Sequence, residues 1–348
     1  MINEESVREK LKKVNYPGFS RDIVSFGLIK RITVSGNDVL VLVSLATRDP
    51  AVPRAIHQGI EEALATLEGV GRVEIDFDLK DPPEPVAGNP AAAQTSIPGV
   101  KKVIAVASGK GGVGKSTVAV NLAIALSRTG AKVGICDCDL YGPSIALMLG
   151  ATDQQPMATE HNEIIPIEAH GLKAISMGFL LSEDSPVIVR GPLATRYTQQ
   201  FLRQCLWGEL DYLILDLPPG TGDIQLTIVQ TVSISGSVIV TTPQEVALID
   251  ARKAVAMFQK VHVPITGLVE NMAWFECEHG TKYPIFGEGG GTAEAERLGV
   301  PVLVQIPIDI ATRDRADRGE PIATLDPSTN PISAVFSVLA EKVMAAVG

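Results

Sequence analysis

Residues 108–116 read Ser-Gly-Lys-Gly-Gly-Val-Gly-Lys-Ser, a full match to the spacing G-x-x-x-x-G-K-[ST]. This pattern suits capture of a polyphosphate. Its glycines let backbone N–H groups approach phosphate oxygens, its lysine reaches the β and γ phosphates, and its last hydroxyl is offered to Mg²⁺. Gly109, Lys110, Gly111, Gly112, Val113, Gly114, Lys115, Ser116 and Thr117 are therefore the expected nucleotide contacts, with Lys115 on the phosphates and Ser116 on the metal. The flanks agree. Residues 103–107 form an apolar run suited to a buried strand, and Val118, Leu122, Ala125 and Leu126 recur at helical spacing, so the loop opens a helix.

Carboxylates follow where such a loop needs them. Leu213-Ile214-Leu215-Asp216 is an apolar run ending in an acid, which places Asp216 near Mg²⁺. The next residues, Leu217-Pro218-Pro219-Gly220-Thr221-Gly222-Asp223, can form a loop that senses a γ-phosphate, with Asp223 expected to cap the following helix. Asp137 and Asp139 lie two apart at another strand end, so both can face the site, one holding the attacking water and the other orienting the metal shell. Cys136 and Cys138 alternate with them and are expected to face away as small buried side chains.

Apolar strand candidates at 103–107, 132–136, 172–177, 212–217, 237–241, 265–269 and 302–306 leave room for helices between them. That predicts an α/β fold: a mostly parallel sheet with helices on both faces and ligands at the strands' carboxyl ends. Before it, a helix with Val7, Leu11 and Val14, a strand at 23–34, a turn at Ser35-Gly36-Asn37-Asp38, a strand at 39–45, a helix over 50–67 and a strand at 73–79 make a small α+β domain. The expected division is a domain at 1–80, a Pro- and Ala-rich linker at 81–98 and a nucleotide domain at 99–348.

At 348 residues and 45% hydrophobic, the chain can hold about two cores. Its net charge of −10 speaks against a nucleic-acid surface. The polar start predicts no secretory leader, and no apolar run approaches the ~20 residues that span a bilayer. In the final helical pattern at 331–347, Lys342 is the one cation, which favours packing over a membrane surface. A cytoplasmic protein without nucleic-acid or membrane partners is expected.

With its extra Lys110, the 108–116 loop resembles the deviant Walker A loop of the MinD/ParA/nitrogenase-iron-protein class. Asp137-x-Asp139-x-x-Gly142-Pro143-Ser144, Arg190-Gly191-Pro192, residues 216–223 and Glu270-Asn271-Met272 together resemble the Mrp/ApbC branch, the iron–sulfur cluster carrier ATPases. Residues 22–29 and 67–70 resemble the MIP18-like domain that often precedes them, although Pro50-Ala51-Val52-Pro53 has valine where that family commonly has cysteine; a docking role is the expectation. The resemblance implies a slow, Mg-dependent ATPase that carries clusters to apo iron–sulfur proteins and meets assembly factors. It implies a homodimer in which Lys110 reaches the partner's nucleotide, and adenine contacts from Asn271, Pro307 and Asp309. The competing reading is a MinD/ParA-like positioning switch without a cluster.

The expected metal site departs from the branch. Its members usually carry Cys-x-x-Cys after Glu-Asn-Met, so that a dimer presents four thiolates to a bridging [4Fe–4S] cluster. Here the loop reads Phe275-Glu276-Cys277-Glu278-His279-Gly280, with glycine at the second cysteine's place. Three readings stay open: His279 as the other ligand, two Cys277 thiolates completed by exogenous thiols, or no cluster.

Overall fold

The computed structural model describes residues 2–17, 22–47, 51–67, 69–80, 95–160, 163–180 and 191–348. Pro50, Arg190 and most of the expected linker lie outside them. Residues 2–80 belong to one compact unit, and residues 95–179 with 191–348 to another.

In the first unit, α1 (Glu4–Leu11) opens with a capping box in which Asn3 and Ser6 satisfy each other's backbone N–H groups. Strands β1 (Ile29–Ser35) and β2 (Asp38–Ala46) form the expected hairpin, with Ser35 opposite Asp38 and Gly36 left-handed at φ 61°. Helix α2 (Ala51–Ala65) then crosses to β3 (Val73–Lys80), which pairs parallel to β2. Val7, Leu11, Ile56, Ile60 and Leu64 close on Val39, Val41 and Val43 to make the core. The expected strand from residue 23 begins only at Ile29. Asp22 accepts from the backbone N–H of Val24 and Ser25, and this turn chemistry holds the preceding segment out of the ladder.

The second unit starts with β4 (Val100–Ser108), α3 (Lys115–Arg128), β5 (Val133–Asp137) and the short α4 (Ile145–Met148). A two-stranded ribbon of β6 (Met157–Ala158) and β7 (Ile164–Ile165) precedes β8 (Ile167–Ala169), β9 (Leu172–Ile175) and α5 (Gly191–Gln204). Next come β10 (Leu210–Asp216), α6 (Asp223–Thr231), β11 (Gly236–Thr241), α7 (Glu245–Lys260), β12 (Ile265–Glu276) and β13 (Lys282–Tyr283). The chain ends with α8 (Gly290–Leu298), β14 (Val302–Ile308), α9 (Ile310–Asp317) and α10 (Pro331–Val347). Strand order is β13-β12-β11-β4-β10-β5-β9-β8, with β14 also on β12. All seven expected strands pair in parallel, and β8 and β13 add antiparallel edges.

Helix α3 is buried on nearly every side because α10 covers it: Phe336, Leu339 and Val343 share one cluster with Val118, Leu122 and Leu126. Each such side chain contributes roughly 1.5–3 kcal/mol. Asn121, inside that helix, donates to Thr117 O and accepts from Ala323 N–H, which keeps its amide satisfied. Lys342 of α10 donates to Leu303 O, so the helix's cation is spent on packing. One expected cap is displaced. Gly222 occupies the N-cap of α6, and Asp223 is its first helical residue.

Candidate functional site

The phosphate loop leaves β4 at Ser108 and enters α3 at Lys115. Gly112 and Gly114 have φ of 80° and 79°, a region that strains any residue with a Cβ. Close neighbours forbid side chains as well. A Cβ on Gly109 would lie 2.0 Å from the carbonyl carbon of Asp250 in α7, and one on Gly114 would lie 2.2 Å from Nδ2 of Asn271 in β12. Asn271 Nδ2 donates to Val113 O at 2.8 Å, so β12 fixes the loop's crest.

Lys115 turns inward. It is 6% exposed, and its Nζ donates to Asp216 Oδ1 at 2.5 Å and to Ser116 Oγ at 3.3 Å. Asp216 ends β10 between β4 and β5, opposite Val106 on one side and Asp137 on the other. Burial pushes its carboxyl up from the usual range, and the Lys115 ammonium opposes that. Asp216 Oδ2 is buried with no hydrogen-bond partner among the described residues. A carboxylate oxygen with free lone pairs, close to the Ser116 hydroxyl, is a hard-oxygen donor set that fits Mg²⁺.

Asp137 and Asp139 differ more than their spacing suggests. Asp137 is 1% exposed, and its oxygens accept from Asp139 N (3.0 Å), Ser144 N (3.2 Å), Ile145 N (3.3 Å) and Ser176 Oγ (2.8 Å). Burial, then the neighbouring Asp216 charge, raises it to about 7, against the pull of Ser176 and Lys115. Asp139 lies past the strand end, half-buried, where its Oδ1 accepts from Gly142 N at 3.3 Å. The 217–222 loop is tied to the same strand ends: Leu217 N donates to Val106 O and Gly220 N to Ser108 O, each at 3.0 Å.

Farther along β12 the chain turns back through Cys277. Cys277 N donates to Thr281 O and Gly280 N to Cys277 O, with Gly280 left-handed at φ 75°. Backbone N–H groups of His279 and Thr281 face the sulfur and lower the thiol from its ordinary value. His279 is 82% exposed. Among the described residues, no three His, Cys, Asp or Glu side chains gather as a metal site. Cys136 and Cys138 are buried, as their spacing predicts, and so is Cys205, whose thiol burial drives up to about 12.

The profile of a family described as NUBPL iron-transfer P-loop NTPase matches residues 99–344, and that of an iron–sulfur cluster assembly protein matches residues 4–76. The chain belongs to the NUBPL iron-transfer P-loop NTPases. It is similar to the iron–sulfur cluster carrier protein of Deinococcus radiodurans, with 46% identity over 96% of this chain and 93% of that one. The carrier protein of Haemophilus influenzae is 42% identical over 98% of this chain and 91% of its own. Among solved structures, a nucleotide-binding protein of Archaeoglobus fulgidus in complex with ADP aligns with a TM-score of 0.57 and 39% identity, over 64% of this chain and 87% of that one.

In this NTPase, Lys115, Ser116, Asp137, Asp139 and Asp216 gather at one end of the sheet, at strand ends or just past them. Asn271 stands against the loop. Pro307 lies in the last residues of β14, while Asp309 caps α9, its Oδ2 accepting from Thr312 N and Thr312 Oγ at 2.6 Å. Lys110 is half-buried, and no hydrogen bond or ion pair holds its ammonium among the described residues. Sequence reasoning missed Ser176, a lone hydroxyl after an apolar strand that carried no motif. It also missed the backbone of Asp250 behind Gly109, for which residue types give no signal.

Proposed function

We propose that the chain is an ATP-hydrolysing homodimeric carrier of iron–sulfur clusters. The observation that carries this reading is the path of β12. Asn271 in that strand holds the phosphate loop through Val113, and Cys277, with a thiol biased toward thiolate, follows its last residue. One strand thus joins a nucleotide site to a soft-metal ligand. The names borne by relatives 42–46% identical over nearly the whole chain support the same cargo.

ATP binds with its phosphates in the 109–116 loop, and Lys115 exchanges Asp216 for phosphate oxygens. Ser116 and Asp216 would hold Mg²⁺, which would supply positive charge to offset that of the phosphates. With Asp137 saturated by donors, Asp139 is the carboxylate left to orient the attacking water. Lys110, whose ammonium has no partner among the described residues, reaches the second subunit's γ-phosphate. A cation delivered in trans stabilises the transition state only in the closed dimer, by ~10³ to 10⁵ in rate for fingers of this kind. Asn271 and Asp309 remain available to adenine through the groups that bracing and capping leave free. The cargo sits between two Cys277 thiolates, and exogenous thiols complete its shell. That incomplete protein shell suits release to an apo-acceptor.

The test is anaerobic reconstitution of wild type, Cys277→Ala and His279→Ala with iron and sulfide, followed by assay of bound iron, sulfide and transfer to an apo iron–sulfur protein. Wild type and His279→Ala are expected to hold equal iron, and Cys277→Ala little. Equal, low iron in wild type and Cys277→Ala defeats the carrier reading and leaves the metal-free positioning switch. Loss of iron in His279→Ala assigns the imidazole as a ligand instead.

A further inference from the structure

Helix α6 follows the 217–222 loop directly, and its third residue is Gln225. The buried residues of the helix are Gln225, Ile228 and Val229, with Val232 at its C-cap also buried, so the carboxamide lies on an apolar face. Gln225 is 1% exposed, and among the described residues neither its Oε1 nor its Nε2 has a hydrogen-bond partner. Burying an amide unpaired is unfavourable, and a glutamine at this position has an ordinary alternative: reaching back to the N-cap N–H as half of a capping box. No side chain caps the helix at Gly222. The amide is therefore held inward although a local partner exists.

The loop ahead of it is the matching half. Its backbone N–H groups at Leu217 and Gly220 donate to Val106 O and Ser108 O and Gly222 O accepts from Leu226 N, while among the described residues no backbone hydrogen bond is donated by Thr221 or Gly222. Gly220 is left-handed at φ 92°, and Thr221 and Gly222 are exposed. A carboxamide offers one acceptor and one donor face, the complement of a peptide unit.

We propose that Gln225 is a positioning residue for hydrolysis: when the 218–222 loop closes on the γ-phosphate, the buried carboxamide pairs with a peptide unit of that loop and holds it closed. The inference rests on the ATPase reading and is independent of the cargo. The loop then has two arrangements, and the amide is satisfied only in the closed one, which biases closure toward the triphosphate.

The experiment compares wild type with Gln225→Leu and Gln225→Met in steady-state ATP hydrolysis, ADP affinity, and thermal unfolding with and without a non-hydrolysable ATP analogue. Without nucleotide, both apolar variants are expected to unfold about 2–4 °C higher than wild type, because the orphaned amide is gone. Their kcat is expected to fall at least tenfold with ADP affinity unchanged, and the analogue is expected to raise their unfolding temperature less than it raises that of wild type. A merely structural glutamine would lower nucleotide-free stability in both variants and leave the analogue's increment intact; that result overturns the proposal. So does unchanged kcat in both. Wild-type turnover is the control: if wild type fails to hydrolyse ATP, it is the ATPase reading that falls.

Discussion

Replacing Asp216 by alanine isolates the charge logic of the site. The Lys115 ammonium is 6% exposed and 2.5 Å from a carboxylate that is fully buried. Removing one member of a buried pair costs roughly 3–5 kcal/mol, because the remaining charge stays in low dielectric. For a domain of this size that is roughly 6–20 °C in unfolding temperature. The reverse deletion, Lys115→Met, is milder. Burial has already raised Asp216 toward its neutral form, so the carboxyl can take a proton in place of the lost cation. A polyphosphate changes the comparison, since its oxygens supply Lys115 with the anion that Asp216→Ala lacks. Thermal unfolding in EDTA, with and without ADP, reads both effects. Asp216→Ala is expected to be the less stable variant without nucleotide and to gain more from ADP than wild type gains. If it unfolds within about 2 °C of wild type, or if ADP raises both equally, Lys115 is not the buried cation described here.

Three further outcomes are expected. Lys110→Ala should bind ATP as wild type does and lose turnover, read by equilibrium binding beside phosphate release; retained turnover removes the trans-lysine role. In alkylation at neutral pH followed by peptide mass analysis, Cys277 should react first, since its thiol is lowered by facing N–H groups while Cys136 and Cys205 are buried and raised. Asp137 sets a pH slope. Its folded value of about 7 lies above the unfolded carboxyl range, so the native state binds the extra proton and stability falls as pH rises from about 4 to 7, by up to about 4 kcal/mol. Asp137→Asn should flatten that slope in denaturant titrations across this range, and an unchanged slope places the titration elsewhere.

What was legible in the sequence is what depends on local pattern. Seven apolar runs became seven parallel strands because a strand buried on both faces must be apolar throughout, and the Gly-x₄-Gly-Lys-Ser spacing fixed the loop between β4 and α3. The alternation argument placed Cys136 and Cys138 inside correctly. For the acids the period runs out at Asp137, where β5 ends, and Asp139 stands half-buried just past it at the same end of the sheet. Only the fold reveals that Asp137 is saturated: Ser144 and Ile145 come from the next helix and Ser176 from beyond β9. A residue type reports what chemistry is possible, and the register decides which oxygen is left to do it.

The same distinction explains β12. Its apolar run stops near 269, yet the strand continues to Glu276, because polar residues there find partners on both sides. Glu270 turns to Gly291 N and Gln305 Nε2, holding the start of α8, while Asn271 turns to Val113 O in the phosphate loop. Met272 follows at φ 57°, an unusual conformation for a side chain of its size, at a register shift between Asn271 and Phe275 against β14. Cβ positions show how close the fit is: one added to Gly291 would meet the Glu270 carboxyl at 2.7 Å. The stretch of β12 that leads toward Cys277 is thus held by α8 on one side and by the nucleotide loop on the other. Those two grips lie in the residues Glu270 and Asn271, which as a sequence string mark only a family. In the fold they tie β12 to the start of α8 and to the phosphate loop.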